Sequence, residues 1–326
     1  MRGERYIVFL IAAVLIAGCQ REPELKIAVR ECAPLPAGGR ASARAAVLDG
    51  KAYVFAGRDS AGHYLNDLWQ YNPETDAWTY VSQCPGNKRV NATIAAADGA
   101  LYMGLGYSAS HAYNDTAYQR DWWKYDPQNG QWTSLAQYPC ANTIAPVTST
   151  DGNDIHVYYG CGRFMSADRW RYNTLTNEWQ PVPPGEVLHR SAFGCTGAAL
   201  RGTLYFGCGF DAHNLTDWYS VELAPNKWRK RTSMPGKGRE FAAAAASDEY
   251  IYVFGGRYFA GDMSGGEIFN TYLRYEPETD RWRWCGTMPC GSAENQIAFT
   301  IDGKAYFGLG EDEKGIVINQ LYCIEE

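Results

Sequence analysis

The stretch that decides the fold runs Ala46-Val47-Leu48-Asp49-Gly50-Lys51-Ala52-Tyr53-Val54-Phe55-Ala56-Gly57. It resumes after a loop as Leu68-Trp69-Gln70-Tyr71-Asn72-Pro73-Glu74-Thr75-Asp76-Ala77-Trp78. Two apolar runs flank Asp49-Gly50, a pair that strongly favours a two-residue turn between antiparallel strands. Asn72 to Asp76 reads as a second turn, because proline fixes its own φ and aspartate accepts local backbone hydrogen bonds. One such unit therefore offers four short strands, a to d. Its landmarks recur: Trp78 returns as Trp132, Trp179, Trp228 and Trp282, and a Tyr stands seven residues earlier at Tyr71, Tyr125, Tyr172 and Tyr275, with Val221 in the remaining unit. Asp-Gly returns at 98-99, 151-152 and 302-303, and a Pro follows the Trp at Pro85, Pro139, Pro235 and Pro289. Four strands repeated about every fifty residues describe the blades of an all-β propeller.

The two ends set the blade count. After Trp282 the sequence supplies one more a–b hairpin, Ile297 to Gly310, and a strand c at Leu321 to Ile324, and then stops. The missing strand d is expected from the other end, where Ile27 stands seven residues before Pro34 as Trp78 stands before Pro85. Joining head to tail removes the exposed edges of an open array. The expectation is one domain over residues 25–326, a six-bladed propeller with four antiparallel strands per blade.

Tyr-x-x-x-Gly on strand b and the paired Tyr and Trp on strands c and d resemble the kelch repeat. The resemblance covers roughly residues 25 to 326. It is specific for fold and weakly specific for function, because fold and function separate readily. It implies a binding face where the longer b–c and d–a loops surround the channel mouth, and loops on a rigid scaffold are where function concentrates. The longest b–c loops are 107 to 120 and 257 to 270. Exported bacterial members include sialic-acid mutarotases, although the long helical-looking insertion associated with those enzymes is absent here. Galactose oxidase, a copper radical enzyme, also carries a kelch propeller. Its site needs two Tyr, two His and a Cys, and the five His here show no such pairing. No metal or cofactor is expected.

Candidate site residues follow from the repeat. The residues just after the strand-b glycines (57, 106, 162, 209, 256 and 310) are Arg58, Tyr107, Arg163, Phe210, Arg257 and Glu311. Three arginines would then face the channel mouth, with planar paired donors suited to a carboxylate. The approach to strand a adds Arg40, Arg44, Arg89, Asn91, Asn142, His189, Arg190, Arg239, Glu240, Glu294, Asn295 and Gln296. Such a set suits a glycan, a sugar acid or the acidic side chains of a partner protein. Ring-opening acid–base chemistry would draw on Glu240, Glu294 and Arg239. The competing reading pairs these arginines with neighbouring carboxylates or strand-end carbonyls. The recurring Trp set and Tyr53, Tyr102, Tyr158, Tyr205, Tyr252 and Tyr306 read as core.

Composition bounds the rest. The 326 residues carry 30 Lys and Arg against 36 Asp and Glu, a net charge of -6, which argues against a nucleic-acid partner. Tyr6 to Ala17 is uncharged and short for a bilayer span, as in a signal peptide. It ends in Leu15-Ile16-Ala17-Gly18-Cys19, which resembles the lipobox of bacterial lipoproteins. That resemblance implies a signal peptide over 1–19, acylation of Cys19, a tether over 20–24 and a monomer held to the membrane by its lipid alone. With no Asp behind the Cys, it implies the outer membrane. Two or three acyl chains anchor stably. Nine further cysteines remain, and an exported protein permits disulfides. Cys195 is expected opposite Cys208 on adjacent strands, as a candidate cross-strand disulfide, with Cys161 in the same repeat column as Cys208.

Overall fold

The structure is a computed structural model that describes residues 24–108, 117–140, 143–160, 169–183, 192–260 and 266–326. Among them there is no helix, and six four-stranded antiparallel sheets form the six blades. Blade 1 runs Arg44–Leu48, Lys51–Phe55, Asp67–Asn72 and Ala77–Gln83. Blade 2 runs Thr93–Ala97, Ala100–Gly104, Trp122–Asp126 and Gln131–Ser134. Blade 3 takes Val147–Asp151, Asp154–Tyr158, Arg169–Asn173 and Glu178–Pro181. Blade 4 takes Thr196–Leu200, Thr203–Gly207, Trp218–Glu222 and Lys227–Arg231. Blade 5 uses Ala243–Ala246, Ile251–Phe254, Thr271–Glu276 and Arg281–Thr287, and a short ribbon pairs Arg257–Tyr258 with Glu267–Ile268. Blade 6 begins with Ile297–Ile301, Lys304–Gly308 and Leu321–Glu325. Its outer strand is the N-terminal Ala28–Cys32, antiparallel to Leu321–Glu325 with Cys32 opposite Leu321. The predicted head-to-tail closure is what forms.

Each strand a touches the strand a of the next blade, and that of blade 6 meets that of blade 1, so the six innermost strands ring an axis. Six hydrophobic clusters lie between successive blades, one at each junction. The recurring Trp residues belong to these junctions. Trp78, Trp179 and Trp282 pack at a tilt against Tyr71, Tyr172 and Tyr275 at centroid distances of 5.1, 5.0 and 5.0 Å. Their indole N–H groups donate to carbonyls of the preceding blade, at Ala33, Ala136 and Thr232. The turn residues Asp76, Asn177 and Asp280, all at positive φ, accept the same Tyr hydroxyls and a backbone N–H of that preceding blade. The side-chain oxygen expected to hold its own turn thus bolts two blades together, while the turn N–H of Glu74 goes to Asn72.

A second set of bolts surrounds the axis. The residues before and at the end-of-strand-b glycines are left-handed in every blade, as in Ala56-Gly57 and Leu105-Gly106. Only glycine fits the second place: a Cβ at Gly57 would stand 2.8 Å from the Ala41 carbonyl oxygen, and one at Gly106 would stand 2.6 Å from that of Val90. From there Gly57 N–H donates to Arg89 O of the next blade, and Gly310 N–H crosses the seam to Arg40 O. Closer to the axis, Ser42, Asn91, Ala145, Gly194, Phe241 and Asn295 share another left-handed position. Their peptides bond around the circle: Asn91 N to Ser42 O, Ala145 N to Asn91 O, Phe241 N to Gly194 O, Asn295 N to Phe241 O and Ser42 N to Asn295 O.

Blade 3 departs from the expected register. Its a–b turn is Gly152-Asn153, with Asp151 opposite Asp154, not Asp151-Gly152. The left-handed pair is Tyr159-Gly160, so His156 fills the column of Tyr53 and Tyr158 does not. His156 is buried and stacked on Tyr158, and burial lowers its pKa. Cys161 and Arg163, to which the repeat assigns columns, lie outside the described residues.

Candidate functional site

The channel mouth lies where each strand b ends. Antiparallel bridges there join Ala41 to Arg58, Val90 to Tyr107, Phe193 to Phe210, Glu240 to Arg257 and Glu294 to Glu311. Arg58, Tyr107, Phe210, Arg257 and Glu311 thus occupy one equivalent place in five of the blades. Arg163, Asn142, His189, Arg190 and Cys19 lie outside the described residues.

Two expected site residues belong elsewhere. Arg89 is 0% exposed and sits between blades, where Nη1 and Nη2 clasp Asp121 Oδ1 and Oδ2 at 2.6 and 2.7 Å. Nη1 also donates to Leu105 O and Nε to Asn87 O, and Trp123 Nε1 donates to Asp121 Oδ2. Arg40 repeats the arrangement with Asp67, Ala56 O and Trp69. Burial works to raise the Asp121 pKa, but the hydrogen bonds and charge of Arg89 outweigh it and hold the carboxyl below its ordinary value. Arg239 is equally buried, donates to Gly255 O and lies 4.2 Å from the Phe269 ring centre. These guanidinium groups fasten strand ends, so Arg89 is not a ligand residue and Arg239 is not a catalytic one.

The mouth gathers a different cluster from blades 5, 6 and 1. Arg257 Nη2 lies 3.0 Å from Glu240 Oε1, and its Nη1 lies 3.5 Å from Glu294 Oε1. Arg58 pairs with Glu311 at 2.5 Å, and Asn295 Nδ2 donates to Glu311 Oε1 at 3.4 Å. Glu240 and Glu294 are only 2% and 6% exposed, yet Oε2 of each has no hydrogen-bond partner among the described residues. Burial raises the Glu240 pKa against the pull of Arg257. Burial also raises Glu294, to about 7, and the like charges of Glu311 and Glu240 add to the rise while Arg257 opposes it. Two Arg facing three Glu leave no excess positive charge, which overturns the picture of guanidinium groups free for an anion at Arg58 and Arg257.

Beside this cluster stands an aromatic wall that sequence reasoning caught only at Phe210. Phe193 packs on Phe210 at 5.4 Å and on Phe241 at 6.0 Å, and Phe259 lies edge-on to Phe210 at 5.8 Å. The Arg257 guanidinium lies 5.8 and 6.0 Å from the Phe241 and Phe259 rings. Phe241 is left-handed, with φ at 53°, which is uncommon and strained for a bulky side chain. The signal was available: Phe241 follows Glu240 as Asn295 follows Glu294 and Asn91 follows Val90, and Asn is a residue that tolerates this conformation. Across the mouth Tyr107 meets Tyr118 edge-on at 5.3 Å.

The proposed disulfide does not form; Cys195 and Cys208 are free thiols. They do sit in facing positions, since Thr196 pairs with Gly207. However, Cys208 is itself left-handed, at φ 58°, so its Sγ turns toward Met234 Sδ, at 3.7 Å. The Cys195 Sγ donates to the Cys208 carbonyl, at 3.5 Å, and the two sulfurs join different junctions. Among the described residues no group of three His, Cys, Asp or Glu is placed to hold a metal.

Comparison with known proteins agrees with this architecture. N-acetylneuraminate epimerase of Shigella flexneri serotype 5b (strain 8401) is 35% identical over 123 residues, which cover 36% of this chain and 32% of that protein. Kelch-like protein 35 of Mus musculus is 24% identical over 259 residues, covering 78% of this chain and 40% of that protein. The chain thus spans well under half the length of these curated relatives. The solved structure of YjhT superposes with a TM-score of 0.74 over 90% of this chain and 96% of that one, at 16% identity, a likeness of fold. The Kelch motif matches residues 238–289, and the KLHDC2/KLHL20/DRC7 Kelch-repeats domain matches residues 24–206, more than half of the sequence. With its blades, seam and glycine bolts in view, the chain belongs to the kelch-repeat family.

Proposed function

We propose that the mouth cluster binds a cyclic sugar and interconverts its anomers, as a mutarotase. The observation that carries this reading is the pair of buried, unpartnered carboxyl oxygens, Glu240 Oε2 and Glu294 Oε2, beside an aromatic wall. A buried acceptor without a partner is costly, and a sugar hydroxyl satisfies it. Glu294, poised near neutral pH, is suited to general acid work. It donates its proton to the ring oxygen as the anomeric C–O bond breaks, while the Glu240 carboxylate takes the proton of the anomeric hydroxyl. The open-chain carbonyl turns its other face, and the reverse transfers return both protons. Arg257 opposes the upward pull of burial on Glu240 and so favours its carboxylate form, and the Phe rings give the sugar's apolar face a surface. The partial match to an N-acetylneuraminate epimerase supports that sugar acid as the first substrate to test.

NMR exchange between the anomers of N-acetylneuraminate and of neutral aldoses measures the activity. Glu294→Gln is expected to lower the rate about 10²–10⁴-fold. A wild-type protein that binds a sugar without accelerating exchange sinks catalysis and leaves a binding module. That second reading draws support from Phe259 and Ile316, large apolar side chains exposed on loops of the same face, which suit a glycan or protein partner. In either case we propose that a lipid on Cys19 holds the propeller at the outer membrane. Cys19→Ser is then expected to move the protein from the membrane fraction to the soluble one, and retention in the membrane fraction overturns it.

A further inference from the structure

Beneath the ring of left-handed peptides, the axis holds a cavity of about 140 Å³ lined by residues of all six innermost strands or their approaches. Its walls are small or hydroxylic side chains, among them Ala45, Thr93, Thr148 and Thr196, and Gln296 contributes its amide. Among the described residues, Arg44 is the one charged side chain that lines it. Unlike Arg40, Arg58, Arg89 and Arg257, Arg44 has no carboxylate within ion-pair distance among the described residues. Its guanidinium donates Nη1 to Ala43 O at 2.9 Å and Nη2 to Asn91 Oδ1 at 3.2 Å, two neutral acceptors for a group with five N–H donors. Burial lowers the Arg44 pKa to about 10, still well above neutrality, so the charge persists. A half-buried charge without a counter-charge lacks the partner that would offset its lost hydration. The Thr93 hydroxyl, 1% exposed, likewise lacks a partner.

We propose that the axial cavity is a binding site for one small monovalent anion, of halide or formate size, held by Arg44. The guanidinium supplies the charge and its free N–H groups the hydrogen bonds, and the Thr93 hydroxyl adds a donor. The cavity exceeds the share of liquid volume of a few waters, roughly 30 Å³ each, so a halide fits with water beside it. Sulfate and phosphate carry a second charge that Arg44 alone does not balance. Because Arg44 belongs to blade 1 and Asn91 to the approach of blade 2, the anion would also tie two blades together at the axis.

The test is chloride-35 NMR on the full chain at constant ionic strength, with gluconate as the replacement anion. The wild type is expected to broaden the chloride line, and bromide or formate is expected to remove that broadening by competition; the two competitors separate a halide site from a carboxylate site. Arg44→Gln should abolish the broadening and Arg44→Lys should retain part of it, whereas Arg58→Gln at the mouth should leave it unchanged. Broadening that survives Arg44→Gln, or that is lost in Arg58→Gln, overturns the proposal. Should Arg44→Gln not fold, anomalous diffraction from a bromide-soaked wild-type crystal decides: a peak beside Arg44 supports the site, and a cavity without one refutes it.

Discussion

Arg89 with Asp121, and Arg257 with Glu240 and Glu294, are built from the same chemistry, yet they do opposite work. At the blade junction the fork of Arg89 meets both oxygens of Asp121, and a carbonyl and an indole complete the set. At the mouth Arg257 reaches one oxygen of each glutamate and leaves the other bare. A charge pair with both carboxylate oxygens used is a fastener, because a ligand donor has nothing to add. A pair with orphaned oxygens is unfinished, and what finishes it comes from outside. Charge and position in the repeat did not separate the two; the count of satisfied atoms does.

The junction should therefore dominate stability. Removing one partner of a buried pair leaves an uncompensated charge and costs about 3–5 kcal/mol. Arg89→Ala is expected to lower the urea midpoint accordingly, or to prevent cooperative folding. A loss under roughly 1 kcal/mol, the range of surface pairs, would erase the contrast between the two regions.

The regions should also answer pH in opposite senses. The folded pKa of Asp121 lies below its ordinary value, so its stabilisation is present at neutral pH and is lost as pH falls through the folded value. Glu294 is displaced upward, from 4.5 to about 7, so the folded state binds its proton more tightly than the unfolded chain does. Stability from Glu294 is thus complete below about 4.5 and is lost as pH rises through about 7. A shift of this size corresponds to the order of 3–4 kcal/mol. Glu294→Gln is expected to flatten that decline in urea titrations between pH 4 and 8 and to gain stability at the alkaline end. An unchanged slope would show that Glu294 titrates as an ordinary carboxyl.

Much of this architecture could be read from one chain. The recurring Trp, the turn Asp and the strand-b Gly each face a requirement that every junction repeats, so their spacing fixed six blades and the seam at Ala28–Cys32. Failure came where one blade met that requirement differently. In blade 3 the turn moved to Gly152-Asn153 and a histidine took the tyrosine column, while Tyr158 and Gly162 offered a decoy two residues on. Nor could spacing distinguish Arg89 from Arg58. Both lie near strand ends, and only the third dimension brings Asp121 to one and Glu311 to the other. The disulfide failed on a backbone dihedral at Cys208, which no pairing of strand positions reveals.

The smallest effect sharpens the comparison at the aromatic wall. Phe241 occupies a position that Ser42, Asn91, Ala145, Gly194 and Asn295 fill in the other blades, so its left-handed backbone is imposed by the ring of peptide hydrogen bonds around the axis. A bulky residue in that conformation costs on the order of 1 kcal/mol or more, which glycine would recover. Against this, Phe241→Gly forfeits the contacts of a half-buried ring with Phe193 and Arg257, worth a similar amount. The two changes nearly cancel, and the urea midpoint should move by less than about 1 kcal/mol. Sugar affinity should fall, because the ring forms part of the surface beside Glu240 and Glu294. A clear destabilisation with affinity intact would assign Phe241 to the junction's fabric and leave the mouth without its wall. Unchanged stability with weakened binding would mean that the strain at this one position is tolerated for the ligand.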